Sequence, residues 1–231
     1  MIEFHQVSKI YPGKRVGLNN ISFKLDQGEL AFLTGHSGAG KSTLLKLIAH
    51  IELPTLGEII VDKRNVARIP QRDLPFYRRK LGMILQDPIL LYDRSVFHNV
   101  ALPLIMAGIN HKELKTRVSA ALSHVGMSKK SQLMPRELSA GEQQRINIAR
   151  TLANMPSIIL ADEPTGNLDP ELARTIMQLF HTLSQTGVSI IIATHDVSLV
   201  QEHQQRIFHL EQGALVSDEK SPAKSQIAAE K

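Results

Sequence analysis

A glycine-rich segment, Gly35 to Ser42, lies between an apolar run and an amphipathic run, and this placement limits the possible folds strongly. The residues before it, 30 to 33, are all apolar, as in a buried strand, and residues 44 to 48 carry apolar side chains at helical spacing. A strand, a tight turn and a helix N-terminus direct several backbone N–H groups at one point, where the helix dipole also favours negative charge. The sequence therefore predicts a phosphate-binding loop and a chain that binds a nucleoside triphosphate.

The side chains of this loop suit a triphosphate bound together with magnesium. Lys41 can reach the β- and γ-phosphates, and the Ser42 hydroxyl can ligate Mg²⁺. A glycine-rich turn also arises by chance, but its position between a strand and a helix favours the functional interpretation. The other residues that we expect to contact the nucleotide here are Gly35, His36, Ser37, Gly38, Ala39, Gly40 and Thr43.

Composition narrows the class of protein further. Of the 231 residues, 42% are hydrophobic but only 4% are aromatic, so we expect an aliphatic core. The chain has no cysteine, which excludes disulfides, cysteine-ligated zinc and thiol catalysis. Met1 leads directly into a strand-like segment, so we expect no secretory signal. No run approaches the roughly 18 apolar residues of a membrane-spanning helix, so we expect any membrane role to come through a partner or a surface patch.

The strand-like runs indicate an α/β fold. Residues 158–161 and 190–193 are apolar at every position, as in strands that helices cover on both faces. Asp169, Pro170 and Gly187 mark the start and end of a helix between them. We therefore predict a P-loop NTPase core with a mostly parallel sheet.

Helical patterns replace strand signals between about residues 87 and 154. The apolar spacing predicts helices over 96–108, 112–125 and 139–153, which would form a helical sub-domain inserted into the core. We expect one domain over residues 1–216. Residues 217–231 are polar and small, which predicts a disordered tail.

Two carboxylates follow the apolar run at 158–161. Ligands of open α/β sheets gather at the carboxyl ends of strands, which is where Asp162 and Glu163 stand. Asp162 can hold Mg²⁺ or its water shell, and Glu163 can act as the general base on the attacking water. Alone, the pair would be an ordinary acidic strand end, but the phosphate loop favours the catalytic interpretation.

Two further polar residues follow other strands of the predicted sheet. His195 comes after the run at 190–193 and leaves the sheet at the same edge as Asp162, so contact with the γ-phosphate is expected. Gln86 follows the strand-like run at 81–85, and its amide could bridge Mg²⁺ and water. A histidine after a strand is more often structural, so each assignment depends on the phosphate loop.

The segment from Leu138 to Arg145 reads Leu-Ser-Ala-Gly-Glu-Gln-Gln-Arg. Ser139 and Glu142 form a capping box that opens a helix, which is a sufficient structural explanation. A helix start with Ala140 and Gly141 in its first turn is also an anion site. Since this segment is far along the chain from the phosphate loop, one nucleotide enclosed between two copies of the chain would use both sites.

Together these residues resemble the nucleotide-binding domain of ATP-binding cassette (ABC) proteins. The resemblance implies an ABC ATPase fold with an antiparallel β portion at the N-terminus, Mg²⁺-dependent ATP hydrolysis, and catalytic roles for Glu163, His195 and Gln86. The matching motifs, in chain order, are Tyr11 (adenine stacking), Gly35 to Ser42 (Walker A), Gln86, Leu138 to Gln143 (the signature), Ile158 to Glu163 (Walker B), Gly166 to Asp169 (the D-loop) and His195.

Within this superfamily, Glu142 to Arg145 and Pro164 to Asp169 resemble the group of macrolide-efflux and lipoprotein-releasing ATPases. Residues 32–42, 93–96 and 99–104 are most similar to the bacterial cell-division ATPases. That resemblance implies an ATP-sandwiched homodimer on the cytoplasmic face of the inner membrane. The dimer would act beneath an integral membrane partner, with the division machinery, to control cell-wall hydrolysis.

Two alternatives remain open from the sequence. The ATPase of a lipoprotein-releasing or a macrolide or peptide export complex would share every catalytic residue. A nucleic-acid-associated cassette is supported only by the basic segment from Lys63 to Lys80. One departure from the family pattern is Ala140, which replaces the usual glycine. We expect it to keep its N–H contact but to strain the loop if the position needs a positive φ.

Overall fold

The computed structural model describes residues 1–220 as alternating strands and helices. The strands are β1 (Ile2–Ile10), β2 (Val16–Leu25), β3 (Leu30–Thr34), β4 (Leu56–Val61), β5 (Arg64–Asn65), β6 (Leu81–Ile84), β7 (Ile158–Asp162), β8 (Ser189–Ala193), β9 (Arg206–Glu211) and β10 (Ala214–Glu219). The helices are α1 (Lys41–Ile48), α2 (Leu74–Arg79), α3 (Val96–Met106), α4 (His111–His124), α5 (Ala140–Ala153), α6 (Pro170–Gln185) and α7 (Val197–His203). Short 3₁₀ turns lie at 12–14, 66–68, 71–73, 128–130 and 135–137.

The larger sheet has six strands in the order β10-β9-β3-β8-β7-β6. All neighbours pair in parallel except β10, which is antiparallel to β9. The two all-apolar runs form β7 and β8, which lie side by side near the middle of the sheet. The prediction of a mostly parallel α/β sheet is therefore confirmed.

Alternate residues of this sheet face two different cores, because side chains alternate along a strand. On β3, Leu30 and Phe32 pack with the inserted helices, whereas Ala31 and Leu33 pack against α1 and the N-terminal strands. The second sheet is antiparallel, in the order β2-β1-β4-β5, and it is the expected N-terminal β portion. These four residues of β3 are all buried. The end of β3 is therefore held firmly, and with it the position of α1 below that edge of the sheet.

The helical insertion consists of α3, α4 and α5, which pack on one another and on β6. Within the described residues no strand lies between β6 and β7. Each helix begins at a side-chain cap, because the oxygens of Ser95, Asn110 and Ser139 each accept a backbone N–H from the first turn. Among residues 1–220, no helix combines the length and apolar character needed to cross a bilayer.

The start of the expected C-terminal tail at residue 217 is wrong. Residues 217 to 219 belong to β10, which pairs with β9. Arg206 of β9 explains the ordering, because its nearly buried guanidinium makes two 2.7 Å hydrogen bonds to Asp218 and also bonds Glu29 at 2.9 Å. Residues 221–231 of the expected tail lie outside the described part of the chain.

Candidate nucleotide-binding site

The phosphate loop connects β3 to α1 through positions that only glycine fits. Gly35 has a φ of 141° and Gly40 a φ of 110°. A Cβ atom at Gly35 would lie 2.3 Å from the Leu210 carbonyl oxygen, and one at Gly40 would lie 2.5 Å from that of Gly17. The Lys41 ammonium donates to the Gly35 carbonyl at 2.5 Å and to the His36 carbonyl at 3.2 Å, so it lies against the loop. The loop can therefore surround an anion closely, with a cation at its side.

Two of the three predicted magnesium ligands meet at the carboxyl edge of the parallel sheet. Ser42 is the second residue of α1, Asp162 is the last residue of β7, and the Ser42 hydroxyl donates to Asp162 Oδ2 at 2.7 Å. A hydroxyl and a carboxylate are the oxygen donors that Mg²⁺ prefers, and Mg²⁺ sites commonly add phosphate oxygens to one or two carboxylates. This donor set fits the ion that the family implies.

Glu163 follows β7 in the left-handed region, with a φ of 49°, and its N–H donates to the Ala193 carbonyl at 2.9 Å. Its carboxylate is 11% exposed. Oε1 accepts the His195 N–H at 3.0 Å and lies 2.6 Å from His195 Nδ1, while Oε2 accepts the Thr194 hydroxyl at 3.2 Å. The predicted base and the predicted γ-phosphate sensor are therefore in direct contact, which the sequence did not indicate.

One open pocket of about 1140 Å³ collects the predicted catalytic and phosphate-binding residues. We call its polar end the catalytic edge, which consists of Lys41, Ser42, Gln86, Asp162, Glu163 and His195. The pocket also contains Gly35, His36, Ser37, Gly38, Gly40 and Thr43 of the loop, and Tyr11 at the other end. Ala39 is buried beneath the loop and does not line the pocket.

Tyr11 lies at the end of the pocket where the resemblance places the adenine. Its hydroxyl is 3.3 Å from Thr43 Oγ1, and its ring passes so close to Gly17 that a Cβ there would lie 2.7 Å from the ring. The Arg15 guanidinium stands 4.9 Å and the Lys9 ammonium 5.0 Å from the ring centre. Sequence reasoning missed Arg15, and a basic residue close to the stacking aromatic is the signal that could have found it.

The signature turn, which we define as Leu138 to Gln143, is organised as the capping box predicts. The Glu142 N–H donates to Ser139 Oγ at 3.4 Å, and the Ser139 N–H donates to Glu142 Oε2 at 3.0 Å. The Lys130 ammonium and the Ser139 N–H lower the pKa of the Glu142 carboxyl by hydrogen bonding to it. Ala140 is the first residue of α5 and has no positive φ, so the condition under which we expected strain at this position is not met.

The structure does not bring Ser139, Ala140, Gly141 or Glu142 to the pocket. The signature turn instead contacts the D-loop, because a Cβ at Gly141 would lie 2.9 Å from the Asn167 carbonyl oxygen. Asp169 ends that loop and caps α6 by accepting the Leu172 N–H at 3.0 Å. Within one chain, the Walker motifs and the signature are therefore linked only indirectly.

A buried amide connects the signature helix α5 to both catalytic segments. Gln144 is 1% exposed, and its Nε2 donates at 3.2 Å to the carbonyls of Leu85 and Pro164. Leu85 precedes Gln86, and Pro164 follows Glu163. Sequence reasoning missed this contact, although a run of polar residues on a helix with an apolar face was the available signal.

Comparison with known proteins identifies the class to which the fold and site belong. The model of the ABC transporter family matches residues 18–166, so the chain belongs to the ABC transporter family. It is 50% identical to the cell division ATP-binding protein FtsE of Escherichia coli over 215 residues, which are 93% of this chain and 97% of that protein. It is also 40% identical to FtsE of Bacillus subtilis, over 95% of this chain and 96% of that protein.

A solved structure supports both the fold and the chemistry. The dimeric, post-hydrolysis form of the ATP-binding cassette MJ0796 bound to ADP and Pi matches with a TM-score of 0.90 and 33% identity. The match covers 96% of this chain and all of that one. The predicted ABC ATPase fold is therefore confirmed, and the chain is an ATPase that uses ATP with Mg²⁺.

Proposed function

We propose that two copies of this chain pair head to tail around two ATP molecules and serve as the ATPase subunit of a cell-division complex of the FtsE type. The likeness to FtsE proteins over nearly the whole chain supports the cell-division role. No observation favours the lipoprotein-releasing or export alternative. The dimer would lie on the cytoplasmic face of the inner membrane, bound to an integral membrane partner resembling FtsX.

The main observation in favour of the dimer is that the predicted site residues of one chain lie in two separate places. The catalytic edge lies in one pocket, whereas the signature turn lies outside it. A second copy that places its signature turn over the first copy's phosphate loop would complete both sites at once. The dimeric state of the matching cassette is consistent with this arrangement.

In each completed site, Tyr11 would stack on adenine, and Lys41 with the amides of Gly35 to Thr43 would hold the phosphates. Ser42, Asp162 and Gln86 would hold Mg²⁺, which neutralises phosphate charge when bound. The partner copy would add the signature turn to the γ-phosphate, through its Ser139 hydroxyl and its first-turn N–H groups.

Glu163 is the proposed general base. Its carboxylate would accept a proton from water as the water oxygen bonds to the γ-phosphorus and the bond to the β,γ-bridging oxygen breaks. His195, which touches Glu163, and Gln86 would contact the γ-phosphate. Hydrolysis removes the charge that joins the two copies, so the dimer would loosen and move the membrane partner.

A groove of about 280 Å³ between β6 and the helical insertion is the proposed docking site for a helix of the partner. It is lined by Leu81, Gly82, Met83, Leu102, Pro103, Met106, Arg150, Thr151 and Asn154. Met106, which lines the groove, and its neighbour Ile105 are more than half exposed. Because β6 leads directly to Gln86, a helix docked here would sense changes at the catalytic edge.

The basic segment gives little support to nucleic-acid binding. Arg68 pairs with Glu58 at 3.0 Å, and the guanidinium of Arg79 donates to the Met106 carbonyl at 2.9 Å. Arg68 and Arg79 therefore already have partners within the chain. Of the two aromatic residues in this segment, Tyr77 is buried and only Phe76 is exposed, so nucleic acid is not a proposed partner.

Mixing two defective variants tests the head-to-tail arrangement. Lys41→Ala removes the loop cation, and Ser139→Arg blocks the signature turn, so each variant alone should have almost no ATPase activity. A mixed dimer contains one site with an intact Lys41 and an intact Ser139 from different copies. Mixing should therefore restore part of the activity, measured as phosphate release. The control adds more of one variant alone; no recovery on mixing, with both variants folded, would contradict the shared site.

A further inference from the structure

Thr194 makes a hydrogen bond that no assigned role accounts for. It follows β8 directly and its side chain is 1% exposed. Its Oγ1 accepts the Asp196 N–H at 3.0 Å and donates to Glu163 Oε2 at 3.2 Å. A hydroxyl has a single proton. Because the Asp196 N–H takes an acceptor position, the hydroxyl proton is left for the carboxylate.

The backbone around this contact is fixed from two sides. The Thr194 N–H donates to the Leu33 carbonyl at 3.1 Å, which ties it to the strand that leads into the phosphate loop. The Glu163 N–H donates to the Ala193 carbonyl at 2.9 Å and holds the left-handed backbone of Glu163 in place. Both partners of the Thr194–Glu163 bond are therefore anchored to the central strands.

We propose that Thr194 is a positioning residue for the general base Glu163. This inference rests on the proposed function, which makes Glu163 the base. His195 contacts only Oε1 of the Glu163 carboxylate. Without the Thr194 hydroxyl, the carboxylate could therefore rotate about the Cγ–Cδ bond of Glu163. Donation to Oε2 fixes that rotation and sets the direction in which the carboxylate meets the attacking water.

Three variants of the full-length chain separate positioning from structure. Thr194→Val keeps the shape but removes the hydroxyl, and Thr194→Ser restores a hydroxyl. Ser189→Ala is the matched control, since the Ser189 hydroxyl at the other end of β8 also accepts an N–H, that of Gly28, and donates to a carbonyl, that of Asp26. Urea denaturation measures the stability that each change costs.

We expect Thr194→Val to lower kcat about tenfold, the rate equivalent of one hydrogen bond to a charged group, with little change in KM. Thr194→Ser should retain most of the wild-type kcat, and Ser189→Ala should leave kcat unchanged. A loss of kcat at unchanged KM that serine rescues is the pattern of a positioning residue. A purely structural role would lower kcat in Ser189→Ala as well.

A second measurement does not depend on turnover. In chains with ¹³C-labelled glutamate, the carboxyl signal of Glu163 is the one missing from Glu163→Gln. Its chemical shift at neutral pH should change in Thr194→Val, because the carboxylate loses the hydrogen bond to Oε2, and should stay unchanged in Ser189→Ala. Thr194→Cys, whose thiol is a weak donor, gives the same test if the valine variant does not fold.

An unchanged Glu163 carboxyl chemical shift and the same kcat in Thr194→Val as in Ser189→Ala would overturn the inference. If Glu163→Gln abolishes turnover in that case, only the role of Thr194 is rejected. Near-normal turnover in Glu163→Gln would instead reject Glu163 as the base, and with it this part of the proposed function.

Discussion

The catalytic edge and the signature turn are both built on a helix N-terminus, but the two N-termini differ in how many backbone N–H groups they leave free to bind a ligand. Gly40 begins α1 with no side-chain cap, and the first turn of α1 has no acidic residue. In α5, Ser139 occupies the Glu142 N–H and Glu142 adds a negative charge. The first end therefore offers free N–H groups to phosphate, whereas the second is already partly satisfied.

This difference separates two stages of nucleotide binding. A helix end with uncapped N–H groups and Lys41 beside it can hold a triphosphate within one chain. A self-capped end can add only a few contacts, so it serves to close a site that already holds its ligand. We infer that nucleotide binds first to the phosphate loop and that the signature turn of a second copy follows.

The largest expected effect tests the catalytic edge. Glu163→Gln keeps the side-chain shape but removes the proton acceptor, so turnover should fall by about 10² to 10⁴, the usual contribution of a general base. ATP binding should persist, and the dimer should accumulate because the nucleotide is not cleaved. Phosphate release and size-exclusion chromatography with ATP measure the two effects.

Glu171→Gln is the control for this variant, since Glu171 is exposed in the first turn of α6. It should match the wild type in both measurements. Near-normal turnover in Glu163→Gln, or a monomer in the presence of ATP, would contradict the different roles that we assign to the catalytic edge and the signature turn.

The catalytic edge could be predicted from the sequence because its parts are local. The phosphate loop is one continuous segment, and Asp162, Glu163 and His195 each follow an unmistakably buried strand. Parallel strands bring such residues to one edge of a sheet without further information. The predicted helical insertion is local for the same reason, because each of its helices carries its own cap and apolar spacing.

The missed contacts join segments that are distant in the chain. Gln144 meets Leu85 across 59 positions, and Thr194 meets Glu163 across 31. No local pattern specifies such pairs. The wrong start of the C-terminal tail has the same origin, because Arg206 orders residue 218 through an ion pair between β9 and β10.

A second prediction concerns the link between the two regions. Gln144→Leu leaves the Pro164 carbonyl without its buried side-chain donor and leaves the Leu85 carbonyl with Asn147 Nδ2 alone, so the free energy of unfolding should fall by about 2 kcal/mol. Turnover should also fall, because both carbonyls adjoin catalytic residues. Gln178→Leu, the same change at an exposed position of α6, should alter stability by less than about 0.5 kcal/mol. Urea denaturation and phosphate release measure these effects. If the two variants behave alike, Gln144 does not connect α5 to the two catalytic segments.

The smallest expected effect is a pH-dependent one at the signature turn. The hydrogen bond from Lys130 is the largest cause of the lowered pKa of Glu142. A lowered carboxyl pKa stabilises the fold above the unfolded pKa, and this stabilisation is lost as the pH falls through the folded pKa. Lys130→Met should therefore destabilise the chain at neutral pH by about 0.5 kcal/mol, a value reduced by solvent screening because Lys130 is half-exposed.

The difference between Lys130→Met and the wild type should vanish at an acidic pH below the lowered pKa of Glu142, where Glu142 is protonated in both chains. Lys129→Met is the control, since Lys129 is an exposed neighbour, and it should show no such pH dependence. Urea midpoints at both pH values measure the effect. A loss of stability that persists at low pH would mean that Lys130 acts through packing. Arg145, whose guanidinium lies 3.7 Å from Glu142 Oε1, would then be the cation that neutralises Glu142 at the signature turn and lets that turn approach a γ-phosphate.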